Sequence, residues 1–293
     1  ASTLLREGGY MQQLNRDPRP FLNEAITTSK QILSLNPKSS PACGHLGVAS
    51  LTLAYQDMLD RVEPTSNLQA AVTWFRRAQE LNPSGNNAFV QEGRAHNLLA
   101  QGLLERGLDP RAELRQARSA LERARRNNPR LATVYRELAE SELAEARWAM
   151  RGNRPPEAAF DLAERLAGQS IALNPDYADA YHTRAQIRRH RADWEWHRRR
   201  AAAGWIERGL QDAERTREID PEQYEAQALR GALLLLRAQT ESDPGRSRRT
   251  LAEAIRDLEA AQPKAPFLDR SLENLLPEAR RRMDLLPAAP PGR

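Results

Sequence analysis

The chain has 293 residues, with 44 Lys and Arg against 39 Asp and Glu, and is 40% hydrophobic but only 5% aromatic. The signs nearly balance, whereas a nucleic-acid arm normally shows blocks of one sign, and the single cysteine, Cys43, excludes an internal disulfide framework. No apolar run approaches the roughly 20 residues of a membrane span; the longest, Gly231 to Leu236, is bounded by Arg230 and Arg237.

From the N-terminus, "ASTLLREGGYMQQLNR" is too short for a full helix of the kind that follows, so the first repeat is expected to consist mainly of its second helix. Pro18 then opens a run that closes at Asn36-Pro37, Pro64 one that closes at Asn82-Pro83, and Pro110 one that closes at Asn128-Pro129. Pro156 leads to Asn174-Pro175, Ala202 holds the opening place before Asp220-Pro221, and Pro244 precedes Pro263. The closing prolines are spaced 46, 46, 46, 46 and 42 residues apart, each 19 residues after its opening partner. A fixed period of this size marks a repeat architecture.

The two proline series predict two helices per repeat. An opening proline at the first helical position loses nothing, because its missing N–H would be unpaired there. Asp17, Asp109 and Asp243 precede such prolines, where a carboxylate caps free N–H groups and complements the dipole. From opening to stop is about 18 residues, roughly 27 Å of helix. Leu22, Leu68, Leu114, Phe160 and Ile206 form one row; Ala25, Ala71, Ala117, Ala163 and Gly209 form the next, three residues on. Ile32, Ala78, Ala124, Ser170 and Thr216 follow seven residues later, so all three rows share one face. The closing proline pushes the residue before it out of the α region, and Asn or Asp suits the turn.

The helix after each stop has its own rows, Gly47, Gly93, Ala139, Ala185 and Gly231, then Ala54, Ala100, Ala146, Ala192 and Ala238. Small residues at both rows let helix axes approach toward the close end of the usual ~8–10 Å. The last period is four residues short, which is expected to remove about one turn from the first helix of that repeat. These elements predict an all-α solenoid of stacked antiparallel helices. Residues 1–263 form the array, with repeat ends near Pro37, Pro83, Pro129, Pro175, Pro221 and Pro263. "FLDRSLENLLPEARRRMDLL" within 264–286 is expected to be a capping helix, and 287–293 a disordered tail.

"YRELAE" (135–140), "YHTRAQ" (181–186) and "HLGVAS" (45–50), with Ala71, Ala117, Ala163 and the closing "LNP", resemble tetratricopeptide (TPR) repeats over about residues 15–263. That resemblance implies a right-handed superhelical solenoid of antiparallel helix pairs, about five to six repeats with a terminal capping helix. It departs from the family in period, 46 residues here against a common unit of about 34. "NRDPRPFLNEAITTSKQILSLNP", "RGLDPRAELRQARSALERARRNNP" and "NPDYADAY" further resemble long-period arrays C-terminal to bacterial serine/threonine protein kinases. Only Lys30, Lys38 and Lys264 are lysines, a composition that fits a high-GC bacterial genome. No kinase signature occurs in the chain, so any catalytic domain is expected before Ala1, itself a sign of a fragment or processed product. With no signal-peptide pattern, a cytoplasmic protein is expected.

The histidines are His45, His96, His182, His190 and His197; the last two lie seven apart, but no Cys or paired carboxylate completes a metal set. Cys43 shares its row with Phe89, Tyr135 and Tyr181, which makes it a small core residue rather than a nucleophile. No Ser-His-Asp arrangement or phosphate loop is present, so the expectation is a non-catalytic protein with no cofactor and no metal.

"RRHRADWEWHRRR" (188–200) has two readings. Arg188, Arg191, Trp194, Trp196, Arg198, Arg199 and Arg200 form a basic aromatic surface for nucleic acid or an acidic peptide, or they are a solvated helix end with tryptophans in the packing. The second is the plainer. By analogy with TPR proteins, Arg94, Asn97, Arg136, His182, Gln186 and Arg189 line the groove of the first helices. Asn97 and arginines stand there where carboxylate-gripping relatives use Lys and Asn, so an acidic or phosphorylated peptide is implied without a matched clamp. The expected function is a non-catalytic protein–protein interaction scaffold in a larger signalling protein. The alternative is an RNA-binding helical-repeat protein using its arginines. The oligomeric state is open.

Overall fold

The structure, a computed structural model, describes residues 1–14, 16–262, 272 and 274–286. Its described elements are all helices, and the chain divides into two compact units, residues 1–153 and 154–293. Pro263, the start of the expected capping helix and the expected tail lie outside the described residues.

Unit 1 runs α1 (Ser2–Gln13), α2 (Arg19–Leu35), α3 (Ser40–Leu59), α4 (Thr65–Leu81), α5 (Asn86–Glu105), α6 (Arg111–Asn127) and α7 (Ala132–Arg151). Unit 2 runs α8 (Glu157–Leu173), α9 (Ala178–His197), α10 (Ala203–Ile219), α11 (Tyr224–Thr240), α12 (Pro244–Ala261) and α13 (Leu275–Leu285). The helices that follow a stop, here called A helices, have 20 residues in α3, α5, α7 and α9. The B helices α2, α4, α6, α8 and α10 have 17 each. In the short last period α11 has 17 residues instead of 20, so the deletion falls in the A helix. The first repeat does possess an A-type helix, α1, at 12 residues. Within each unit, consecutive helices pack side by side, and A helices α5 and α7 touch, as do α9 and α11.

Pro18, Pro64, Pro110 and Pro156 stand one residue before the B helices rather than inside them. Each proline carbonyl accepts the first ladder bond, for example from Leu22 N at 3.1 Å and Leu68 N at 3.0 Å. The aspartates ahead of them cap as expected: Asp17 Oδ1 accepts from Arg19 N and Asp109 Oδ1 from Arg111 N, both at 3.0 Å. Pro244 alone begins its helix, with Asp243 accepting from Gly245 N and Arg246 N.

Each stop is built the same way. Asn36, Asn82, Asn128 and Asn174 have φ between −144° and −137° and ψ between 83° and 96°, the extended backbone that a following proline demands. Their carbonyls accept the N–H three residues on, and Asn36, Asn128 and Asn174 Oδ1 accept the N–H two residues on. The chain reverses and the next A helix begins.

The return from A helix to B helix uses a residue in the left-handed region, Arg61 (φ 59°), Gly107 (φ 74°), Asn153 (φ 50°) and Arg199 (φ 55°), spaced 46 residues apart. Val62 N bonds Asp57 O at 2.7 Å, and Leu108 N bonds Leu103 O and Arg200 N bonds Glu195 O at 2.8 Å. These six-to-one bonds close the helix in the Schellman manner and satisfy otherwise orphaned carbonyls.

The small rows set the packing distance. A Cβ on Gly47 would lie 2.5 Å from the Phe75 ring, and one on Gly93 2.5 Å from Leu121. Phe75 and Leu121 are fully buried against those glycines. Within each unit the core is therefore a seam between A and B helices, of Ala, Gly and Leu with an occasional Phe.

Candidate functional site

On the A-helix face of unit 1, three of the residues expected to line a groove meet at one carboxylate. Arg94 Nε on α5 donates to Glu137 Oε1 on α7 at 2.6 Å, and Arg136 forms an ion pair with the same oxygen. Asn97 Nδ2 donates to Glu137 O at 2.9 Å and to Oε2 at 3.3 Å, while Ser141 Oγ donates to Asn97 Oδ1 at 2.7 Å. Glu137 is 2% exposed. Burial alone would raise its pKa, but the fields of Arg136 and Arg94 with the hydrogen bonds outweigh it and hold the carboxyl below its usual range. Glu137 in turn raises the Arg94 pKa. Sequence reasoning misses this hub because Glu137 lies between the family's groove positions, on the side facing the neighbouring A helix.

A second buried network joins α4, α5 and α6. Arg76 Nε and Gln79 Nε2 donate to the two oxygens of Glu92 at 2.7 and 2.6 Å. His96 places Nδ1 2.6 Å from Glu113 Oε2 and Nε2 3.3 Å from Arg76 Nη2. Burial opposes ionisation of Glu92, yet His96, Arg76 and Gln79 together bring its pKa below the ordinary value. The sequence gives little signal of it, since the row of Glu92 holds Leu46 and Leu138 but also Arg184 and Arg230.

In unit 2, His182, Gln186 and Arg189 are half-buried on α9, and Arg189 lines a cavity of about 200 Å³ with Asp193, Leu235 on α11 and Glu278 on α13. The capping position is thus occupied by α13, which packs on α12 and touches α11.

The structure splits the 188–200 segment in two. Arg188 is buried: its guanidinium contacts Glu164 Oε1 at 3.0 Å and Asp212 Oδ2 at 2.7 Å, beside the bidentate pair of Arg184 with Asp212. Trp194 is 7% exposed and donates Nε1–H to Glu157 Oε1 at 3.2 Å. Arg191 pairs with Asp161 and lies over the Trp205 ring. Trp196, Arg198, Arg199 and Arg200 are exposed.

Cys43 is buried, and burial pushes its thiol pKa up, away from thiolate chemistry. Among the described residues there is no group of three His, Cys, Asp or Glu side chains placed to hold a metal, and no helix long and apolar enough to cross a membrane.

No protein-family model matches the chain, and no curated protein does. Solved structures do. TTC0263, a thermophilic TPR protein in Thermus thermophilus, is 19% identical, with 83% of this chain and all of that one covered and a TM-score of 0.56. The nuclear import adaptor Nro1 of S. pombe is 13% identical, with 94% and 96% covered and a TM-score of 0.54. At such identities the likeness is one of architecture: the chain has the TPR-like fold of consecutive helix pairs, written at a period of 46 residues.

Proposed function

We propose that the chain is a non-catalytic protein–protein interaction scaffold whose A-helix faces bind a protein or peptide partner. One observation carries the reading: Arg94, Arg136 and Asn97 are fixed around Glu137 by contacts within the fold itself. A surface whose long side chains are already ordered loses less entropy on binding than a flexible one. Arg94 and Arg136 are shared between Glu137 and, at 3.9 Å from Arg136, Glu140; the acidic or phosphorylated character of the partner rests on the arginines at the family's groove positions. His182, Gln186 and Arg189 form a second face of the same kind within unit 2. The fold likeness to a TPR protein and to a nuclear import adaptor supports the scaffold class. The resemblance to kinase-linked arrays supports a place in a larger bacterial signalling protein of the cytoplasm, such as a serine/threonine kinase.

The test is a pull-down from source cells with the chain as bait, with and without nuclease, beside a Gln186→Ala/Arg189→Ala variant. A defined protein that survives nuclease and is lost with the variant supports the scaffold reading. Loss of all specific material after nuclease overturns it in favour of RNA.

A further inference from the structure

Helix α6 and the turn after it, residues 111–130, hold seven arginines against Glu113 and Glu122. Part of that charge is spent within the fold: Arg111 pairs with Asp109, Arg118 with Glu142 and Arg125 with Glu122. Arg115, Arg126 and Arg130 are exposed, and their guanidinium groups make no hydrogen bond or ion pair with any described residue. Arg115 and Arg126 stand eleven residues apart on the outward side of the helix, about three turns, and Arg130 follows in the turn. Ninety-two residues on, two full periods, Glu207, Glu218 and Glu222 hold the same three places on α10 and are exposed as well. Repeat packing does not demand either set. The same places carry Asn23, Ser34 and Lys38 at α2, Gln69, Glu80 and Ser84 at α4, and Asp161, Ala172 and Asp176 at α8.

Two of the three glutamates have a neighbour of their own. Glu207 Oε1 lies 3.5 Å from Arg237 Nε, and Glu218 Oε2 lies 3.0 Å from Arg215 Nη1. A carboxylate has about four lone-pair sites, so one such donor leaves room for an incoming guanidinium. Two helices laid parallel and face to face set equivalent places opposite each other, and each flank meets the other flank of its neighbour. Arg115, Arg126 and Arg130 then oppose Glu207, Glu218 and Glu222, while flanking Glu122 opposes Arg215 and Arg123 opposes Glu214. Every one of these encounters joins opposite signs. An antiparallel arrangement would set Arg126 against Gln211 instead.

We propose that the α6 face of one copy of this chain docks on the α10 face of a second copy. Two copies close on each other if both such contacts form at once, and otherwise further copies add head to tail. Exposed ion pairs are weak one by one, so selectivity comes from the number and register of the signs, and salt opposes the contact. Ala112 and Ser119 complete the outward row of α6, which gives neither acyl chains nor bases an apolar or aromatic seat. The inference concerns B helices and does not rest on the partner reading of the A-helix faces.

The experiment is sedimentation velocity on the full chain over a range of concentrations. It is run at low ionic strength and at about 1 M salt, where the screening length falls to about 3 Å. The parent should associate as its concentration rises and separate in salt. Arg115→Glu/Arg126→Glu/Arg130→Glu and Glu207→Arg/Glu218→Arg/Glu222→Arg should each weaken association by at least about tenfold. Their equimolar mixture should associate again, because each variant then supplies the face the other lacks. The neutral variant Arg115→Gln/Arg126→Gln/Arg130→Gln should also lose association while melting like the parent, which separates loss of contact from loss of fold. Monomers at every concentration in low salt, association untouched by the reversals, or a mixture that fails to recover each overturn the proposal. A monomer whose neutral variant loses its pull-down partner would assign α6 to a foreign acidic protein, or to nucleic acid where nuclease abolishes the capture, and both outcomes overturn it too. The A-helix reading stands or falls separately, on Gln186→Ala/Arg189→Ala.

Discussion

Arg118 on α6 and Glu142 on α7 form an ion pair at 2.7 Å, and 46 residues on, Glu164 on α8 and Arg188 on α9 form one at 3.0 Å with the signs exchanged. The equivalent pairs elsewhere are Val72 with His96 and Leu210 with Leu234. An array of nearly identical helices invites a B helix to pair with the wrong A helix. In such a slip Arg118 would face Arg188, a like-charge contact that disfavours it. The exchange of sign therefore distinguishes these two repeats from each other.

Arg118→Glu alone should destabilise unit 1 by on the order of 1–2 kcal/mol, as should Glu142→Arg, since each sets like charges together in a half-buried site. The double variant should recover more than half of that loss. Recovery stays incomplete because Arg118 also approaches Glu145 at 3.5 Å. Urea unfolding of the three variants measures the coupling, and additive losses would refute the pairing.

Gly47→Ala should cost about 1–3 kcal/mol through overpacking, because the new methyl would meet the buried Phe75 ring at 2.5 Å. Gly44→Ala, three residues earlier in the same helix, meets nothing within 4 Å and should stabilise by about 0.5–1 kcal/mol through helix propensity. Thermal melts of the two variants should move in opposite directions.

Gly107→Ala should destabilise by about 1 kcal/mol, because a Cβ penalises the left-handed backbone there. Arg61→Gly should be neutral to stabilising, by up to about 1 kcal/mol, since it removes that penalty while loosening the unfolded chain. A destabilised Arg61→Gly in urea would show that the Arg61 side chain outweighs its backbone strain.

The period is legible because its signals are local and recur: a proline that ends a helix does so whatever it packs against, and repetition exposes the small rows. The four left-handed turns are half visible, since Gly107 and Asn153 carry the usual signal while Arg61 and Arg199 hide it. The Glu137 and Glu92 hubs are not legible. They depend on side chains from helices up to 44 residues apart meeting within hydrogen-bond distance, as Asn97 and Ser141 do. Family analogy locates Arg94, Asn97 and Arg136 but not the carboxylate that orders them. Arg188 and Trp194 look like surface in a run of charges because sequence spacing does not reveal which arginine faces a buried Asp212.

Glu137 also makes a pH prediction. Its folded pKa is lowered, whereas in the unfolded chain it titrates near the ordinary value of about 4.3. The stabilisation is therefore fully present above that value and is lost as pH falls through the folded pKa. Glu92 acts in the same direction. Glu142 is raised by burial and contributes oppositely, so the comparison must isolate one group. Glu137→Gln should cost roughly 3 kcal/mol near neutral pH, because Arg94 and Arg136 lose their counter-charge. It should also flatten the acid limb of stability against pH, since the proton that the parent must take up is gone. Urea midpoints between about pH 3 and 7 measure both effects. An acid limb of unchanged slope in Glu137→Gln would mean that Glu137 is not an ionised hub of the A-helix face.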